Sequence, residues 1–213
     1  EIKCQLIVLG GNHDSVAMLG ESKQLLRSLS TRVIPNATAN FSESDDGDAF
    51  NEQVFYINNQ RGEAQAVICA IPFLRPRDIL KSQAGKTAND KSQSLQQAIK
   101  EHYQQLYQQA EKLSIIDGNK TLPIIATGHL TTVGVTISES VRDIYIGTLE
   151  AFPANAFPNA DYIALGHIHR AQKVAKTEHI RYCGSPIPLS FDEAKHIKRV
   201  LIVDFIKDKL DKV

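Results

Sequence analysis

Cys4–Asp14 reads CQLIVLGGNHD. The run Cys4–Leu9 is almost wholly apolar, as suits a parallel strand buried on both faces. Gly10 and Gly11 then turn the chain, and Asn12, His13 and Asp14 emerge at the strand's tip. The same device recurs in LPIIATGH (Leu122–His129) and DYIALGHIH (Asp161–His169), where the strands Leu122–Thr127 and Asp161–Leu165 each run into a Gly-His pair. A rigid sheet can hold such tip residues together although they come from distant sequence, so α/β proteins place functional groups there. The pattern predicts an α/β fold with one site built from three strand tips.

In a chain of this composition, GHxH arises by chance about once in a hundred and GNHD about once in a thousand. Neutral imidazole and a side-chain amide oxygen are ligands for Mn²⁺, Fe²⁺ or Zn²⁺. His167 and His169 lie two apart at a strand end, so they can face two adjacent ions. Two ions about 3.5–4 Å apart can clamp a phosphate, activate a bridging water and stabilise the leaving oxygen. His13 suits another role, touching the scissile phosphate as acid or charge stabiliser while Asp14 fixes its tautomer. For any one histidine, capping or hydrogen bonding at a strand end is an equal explanation. Asp14 is explained equally well as a helix cap.

The 213 residues suit one domain with a real core. With Lys and Arg totalling 24 and Asp and Glu totalling 24, the net charge is zero. Global attraction to nucleic acid is excluded, and any such surface is a local patch. Cys4, Cys69 and Cys183 lie far apart in or beside apolar runs, with no zinc or disulfide spacing, and read as buried reduced thiols of a cytoplasmic protein. No apolar run reaches the ~20 residues of a membrane span, and no signal peptide is visible.

Asp14 is placed to cap a helix running to about Leu29, with Val16, Leu19, Leu26 and Leu29 as its buried stripe. Thr31–Ile34 is a short strand, and 36–51 a polar, acidic loop. Val54–Asn58 and Ala64–Ile71 form a hairpin, and Arg75–Lys81 a short helix. Asp90–Leu113 is a long helix with Leu95, Ile99, Tyr103, Leu106, Ala110 and Leu113 on one side and His102 at the boundary. Asp143–Gly147 reads as a strand and Ala151–Pro158 as an irregular or short helical connector. His179–Cys183 and Lys198–Ile206 read as the last strands. Arg170, directly after the paired histidines, is the best phosphate-contact candidate. Arg75, Arg77 and Arg142 are weaker ones; for Arg75 and Arg77 a solvated charge or a salt bridge to Asp78 or Asp143 is the better explanation. Ser185, with no adjacent base, is structural.

GNHD, GH and GHxH in this order resemble the last three motifs of the calcineurin-like metallophosphoesterases. Further stretches are similar to the nuclease subunits of bacterial double-strand exonuclease complexes: IPFLRPRD (Ile71–Asp78), ATGHLTTVG (Ala126–Gly134), SVRDIYIGTLEAFP (Ser140–Pro153), DYIALGHIHRAQ (Asp161–Gln172) and RYCGSPIPLSFDE (Arg181–Glu193). The resemblance implies a two-sheet αββα sandwich. It implies that Asn12, His129 and His167 bind the second metal and His169 the first, with His13 as catalytic histidine and Asp14 supporting it. It also implies Mn²⁺-dependent cleavage of double-stranded DNA ends and hairpins, by a homodimer working with an SMC-like ATPase.

The family pattern begins with Asp-x-His and Gly-Asp motifs upstream of GNHD. No Asp-x-His occurs in the chain, and its Gly47–Asp48 falls after GNHD in a polar loop. Residues 1–213 therefore read as a partial nuclease domain truncated at its N-terminus, with the family's capping and ATPase-binding regions lying after Val213. The bridging carboxylate is missing, so weak Mn²⁺ binding and little or no hydrolysis are expected of the chain alone. Two other readings stay open. A metallophosphoesterase acting on small phosphodiesters would share the histidine motifs but not IPFLRPRD or RYCGSPIPLSFDE. A non-catalytic scaffold or dimerisation piece would need none of them.

Overall fold

The computed structural model describes residues 4–38, 52–80, 87–116, 118, 120–139, 141 and 151–213. Strand β1 (Leu6–Leu9) leads into helices α1 (Val16–Glu21) and α2 (Lys23–Ser28), then strand β2 (Thr31–Ile34). Strands β3 (Val54–Asn58) and β4 (Ala64–Cys69) form the hairpin, followed by α3 (Pro76–Ile79) and α4 (Ala88–Ser114). Short strands β5 (Ile115–Ile116) and β6 (Lys120–Thr121) precede β7 (Ile124–His129). Strand β8 (Tyr162–Gly166), β9 (Gln172–Lys173), β10 (Ile180–Tyr182), β11 (Asp204–Ile206) and β12 (Lys209–Lys212) complete the order. The result is a mixed α/β protein with several sheets.

The main sheet runs β3-β4-β7-β8-β10-β9. Strands β4, β7, β8 and β10 are mutually parallel, with β3 and β9 antiparallel at the two edges. Helix α4 lies on one face. Its stripe Leu95, Ile99, Tyr103, Leu106 and Ala110 is buried, and Leu113 is partly buried against the same core. Spacings of three and four put those side chains on one side of a helix. The separate parallel pair β1–β2 covers the other face, where Ile34 joins Phe55, Ile68 and Ala70, with Ile7 and Leu9 packed against them.

The long helix starts earlier than expected. Thr87 is its N-cap: Thr87 Oγ1 accepts from the Asp90 amide at 3.2 Å, and Asp90 Oδ2 accepts from the Thr87 amide at 3.1 Å. This capping box uses Asp where Glu or Gln is usual, which hid it in the sequence. His102 is not at a boundary. It is buried, its Nε2 lies 3.3 Å from Gln53 Nε2, and burial pushes it down to about 4. It is therefore neutral at neutral pH.

The helix expected from Asp14 to Leu29 is two short helices, capped by Ser15 and joined at Ser22. Ser15, not Asp14, accepts from the Met18 amide. No residue of either helix is buried, and Leu29 is 68% exposed. The 3.6-residue periodicity was right about amphipathicity and wrong about burial, because no described element covers that face. Among the thiols, Cys69 is buried but Cys4 is exposed and Cys183 intermediate. Within Lys198–Ile206, only Asp204–Ile206 is strand, paired antiparallel with β12 rather than with the main sheet. The connector holds a short 3₁₀ turn, Ala154–Ala156. The strand expected at 143–147 lies outside the described residues. No described helix is long and apolar enough to cross a membrane.

Tyr103 ties the long helix to the C-terminal end of β7. Its hydroxyl donates to the Thr127 carbonyl at 2.9 Å, and a Cβ added at Gly128 would lie 2.2 Å from that hydroxyl and 2.9 Å from Leu165 Cδ2. Gly128→Ala should therefore destabilise the fold by about 1–3 kcal/mol. Tyr103→Phe in the Gly128→Ala background should recover part of that loss, since it removes the closest atom. Denaturant midpoints of the two single variants and the double variant check this. Strict additivity would show that the clash is not the cause.

Candidate metal centre

Parallel pairing of β7 with β8 sets Gly128 opposite Leu165 and His129 opposite Gly166. Both strands point the same way, so both motifs reach the same edge of the sheet. The GNHD turn arrives there from β1. Gly10 donates to the Ile34 carbonyl, and the Phe73 amide donates to the Gly10 carbonyl at 2.8 Å. The three tips border an open cleft of roughly 150 Å³ lined by Asn12, His13, His129, His167, His169 and Ser185, among others. The sequence motifs thus meet in space.

His129 is the hub. Its Nε2 lies 2.8 Å from Asn12 Oδ1, and its ring centroid is 5.3 Å from that of His167. Small residues make this packing possible. An added Cβ at Gly11 would fall 2.8 Å from His129 Cε1, and one at Gly166 would fall 3.0 Å from His129 Nδ1. Burial, reinforced by nearby His167, holds His129 down to about 4. Its neutral imidazole is thus the state at neutral pH, the state that ligates metals.

The pair fits a divalent ion. Two cis ligands each ~2.1 Å from one ion sit roughly 3 Å apart, and Oδ1 and Nε2 are 2.8 Å apart. Without an ion they share a proton, since an amide oxygen can only accept. His167 is buried and has φ +88°. A side chain at positive φ crowds its own backbone, at a cost of about 1–3 kcal/mol, and such strain collects at ligand sites. Among the described residues, no three His, Cys, Asp or Glu side chains are grouped to hold a metal by themselves. The arrangement here is a mixed amide–imidazole set.

The other expected residues divide. His13 is exposed at the cleft. Asp14 does not bond its ring. Its Oδ2 accepts from the Gly11 amide at 2.6 Å and so fixes the turn. Arg75 is neither a free charge nor an Asp78 partner: its guanidinium donates to the Asp14 carbonyl at 3.1 Å and the Gly11 carbonyl at 3.4 Å, clamping the GNHD turn. Arg77 sits 3.6 Å from Asp78 and is otherwise open to solvent. Arg170 is exposed beside His169. Arg142 lies outside the described residues.

One residue had no assigned role in the sequence reading. Glu193 is 0% exposed and bonds His169 Nδ1 at 2.8 Å. It sits on a 3₁₀ turn, Phe191–Lys195, that buries the acid and leaves Phe191 100% exposed. Hydropathy assigns these two residues the other way round, so no pattern rule could have found Glu193. Ser185 lines the cleft, and its hydroxyl accepts from Lys198 Nζ at 2.8 Å.

Fold and cleft together define an α/β protein with a strand-tip amide–histidine centre. The chain is similar to the SbcD proteins. It is 55% identical over 210 residues to the SbcD component of the SbcCD nuclease of Escherichia coli K12, covering 99% of the chain and 48% of that protein. Its identity to the Rhodobacter capsulatus protein of the same name is 30% over 204 residues, covering 95% of the chain and 48% of the relative. The chain spans about half the length of these relatives. No family model matches it.

The strain at His167 can be tested without metal. His167→Gly and His167→Ala both delete the ring, but only glycine accepts φ +88° freely. The glycine variant should be the more stable by about 1 kcal/mol in urea unfolding, reversing the usual order of the two residues. An alanine variant as stable or more so would remove strain from the account.

Proposed function

We propose that the chain supplies part of the phosphodiesterase site of an SbcD-type nuclease. The observation that carries this reading is the 2.8 Å approach of Asn12 Oδ1 to His129 Nε2, across 117 residues of sequence, beside the strained His167. In this reading residues 1–213 are a partial metallophosphoesterase domain of layered αββα type. The parallel pair β1–β2 packed on the main sheet supports that layering.

Asn12, His129 and His167 would hold one ion and His169 a second, with Mn²⁺ the expected metal. When bound, such ions supply Lewis acidity and an activated water. The chain's own groups do the rest. His13, exposed at the cleft, reaches a phosphate oxygen or the leaving oxygen as acid or charge stabiliser. Asp14 and Arg75 hold the turn that presents it. Arg170 neutralises phosphate charge beside His169, with Arg77 and Arg142 as further phosphate contacts.

The donors brought together here are an amide and imidazoles, with no carboxylate among them. Among the described residues, Asp14 is engaged by the Gly11 amide and Glu193 by His169 and Lys198. That supports the expectation that the chain alone binds metal weakly and hydrolyses little. The whole protein would process double-stranded DNA ends and hairpins as an ATP-linked exonuclease and endonuclease in DNA repair, recombination and replication. It would act as a cytoplasmic homodimer with the SbcC ATPase.

The test is cleavage of an end-labelled duplex by the whole protein with Mn²⁺. Wild type should cut, and His129→Ala or His167→Ala should lower the rate by more than about 100-fold, beyond the usual effect of an outer residue. Undiminished cleavage by either variant, or turnover of a cyclic nucleotide in place of the duplex, would contradict the reading.

A further inference from the structure

A fully buried carboxylate is costly unless it is paired and hydrogen-bonded. Glu193 meets both conditions. Its Oε1 accepts from Ser138 Oγ at 2.8 Å and lies 2.8 Å from His169 Nδ1. Its Oε2 accepts from Lys198 Nζ at 2.7 Å and from the Leu189 amide at 3.3 Å. Lys198 is a cation paired directly with the acid, and an imidazole need carry no charge to bond a carboxylate.

A carboxylate oxygen only accepts, so Nδ1 must hold a hydrogen. In a neutral ring the lone pair is then left on Nε2, at the opposite edge. Main-chain contacts hold the same histidine from behind. The Ser185 amide donates to the His169 carbonyl at 3.1 Å, and Lys198 Nζ approaches that carbonyl at 3.4 Å. The segment from Ser185 to Lys198 thus grips both the ring and the backbone of one cleft residue.

We propose that Glu193, steadied by Lys198, is the positioning residue that fixes His169 as its Nδ1–H tautomer, with the Nε2 lone pair as the ligand atom for a divalent cation. This rests on the reading of His169 as a metal ligand. Carboxylate–histidine pairs of this kind set ring orientation and raise ligand basicity, and losing one typically costs 10–100-fold in metal affinity. Neither Glu193 nor Lys198 touches the cation or the substrate.

The experiment is long-range ¹H–¹⁵N correlation spectroscopy on the ¹⁵N-histidine-labelled chain, without metal and then with Mn²⁺. In wild type without metal, His169 should be protonated on Nδ1 and bare on Nε2. A proton on Nε2 with a bare Nδ1 overturns the proposal, and this arm needs no variant to fold. In Glu193→Gln, checked for folding by circular dichroism, the single tautomer should give way to a mixture. Retention of the pure Nδ1–H form would also overturn the proposal.

On adding Mn²⁺, paramagnetic broadening of the His129, His167 and His169 rings should appear in wild type. It should need about 10–100-fold more metal for His169 in Glu193→Gln. Equal titrations in the two proteins would leave the metal centre standing and overturn the role of Glu193. No broadening of any of these rings in wild type would remove the metal centre itself, and this role with it.

Discussion

Parallel pairing of β7 with β8 carries two glycine–histidine motifs to one edge of the sheet and places His129 opposite Gly166. The close packing around the centre follows from that register. A one-residue slip would reverse which face each side chain occupies and move His129 off Gly166, where an added Cβ would press within 3.0 Å of its ring. It would also break the fit between Gly128 and the Tyr103 hydroxyl that anchors the long helix. The helix, the strand and the site residue are thus locked by one set of contacts.

Around this frame the site is held by groups that do not face the cleft. Arg75 clamps the GNHD turn through two carbonyls, Asp14 closes it through the Gly11 amide, and Glu193 with Lys198 grips His169. Charged side chains here spend their charge on geometry. Among the described residues, His13 and Arg170 are exposed beside these held groups, one able to exchange a proton and one permanently cationic. That division suits a centre whose ligands must stay neutral and well placed while a phosphate approaches.

Much of this was legible in the sequence because strand tips carry strong local signals. The apolar runs before Gly11, Gly128 and Gly166 marked the strands, and the stripe from Leu95 to Ala110 marked the long helix. Its start was missed because its capping box ends in Asp90. The helix after GNHD was misread in burial, since periodicity reports an apolar face and not whether anything covers it. Arg75 and Glu193 were illegible for a deeper reason. Their partners lie 61 or 64 residues away for the arginine and 24 for the glutamate, and no spacing rule reaches across a fold. Family resemblance supplied the expected roles of the histidines, and identity to the SbcD proteins over nearly the whole chain agrees with that family.

The central claim is that residues from three strand tips converge on one divalent-cation position. The most direct measurement is a crystal of the chain soaked in Mn²⁺, with an anomalous difference map recorded at the manganese edge. The account predicts a peak in the cleft within about 2.0–2.4 Å of Asn12 Oδ1 and of imidazole nitrogens of His129 and His167. A map with no peak there, and with the Asn12–His129 hydrogen bond still intact, would contradict it.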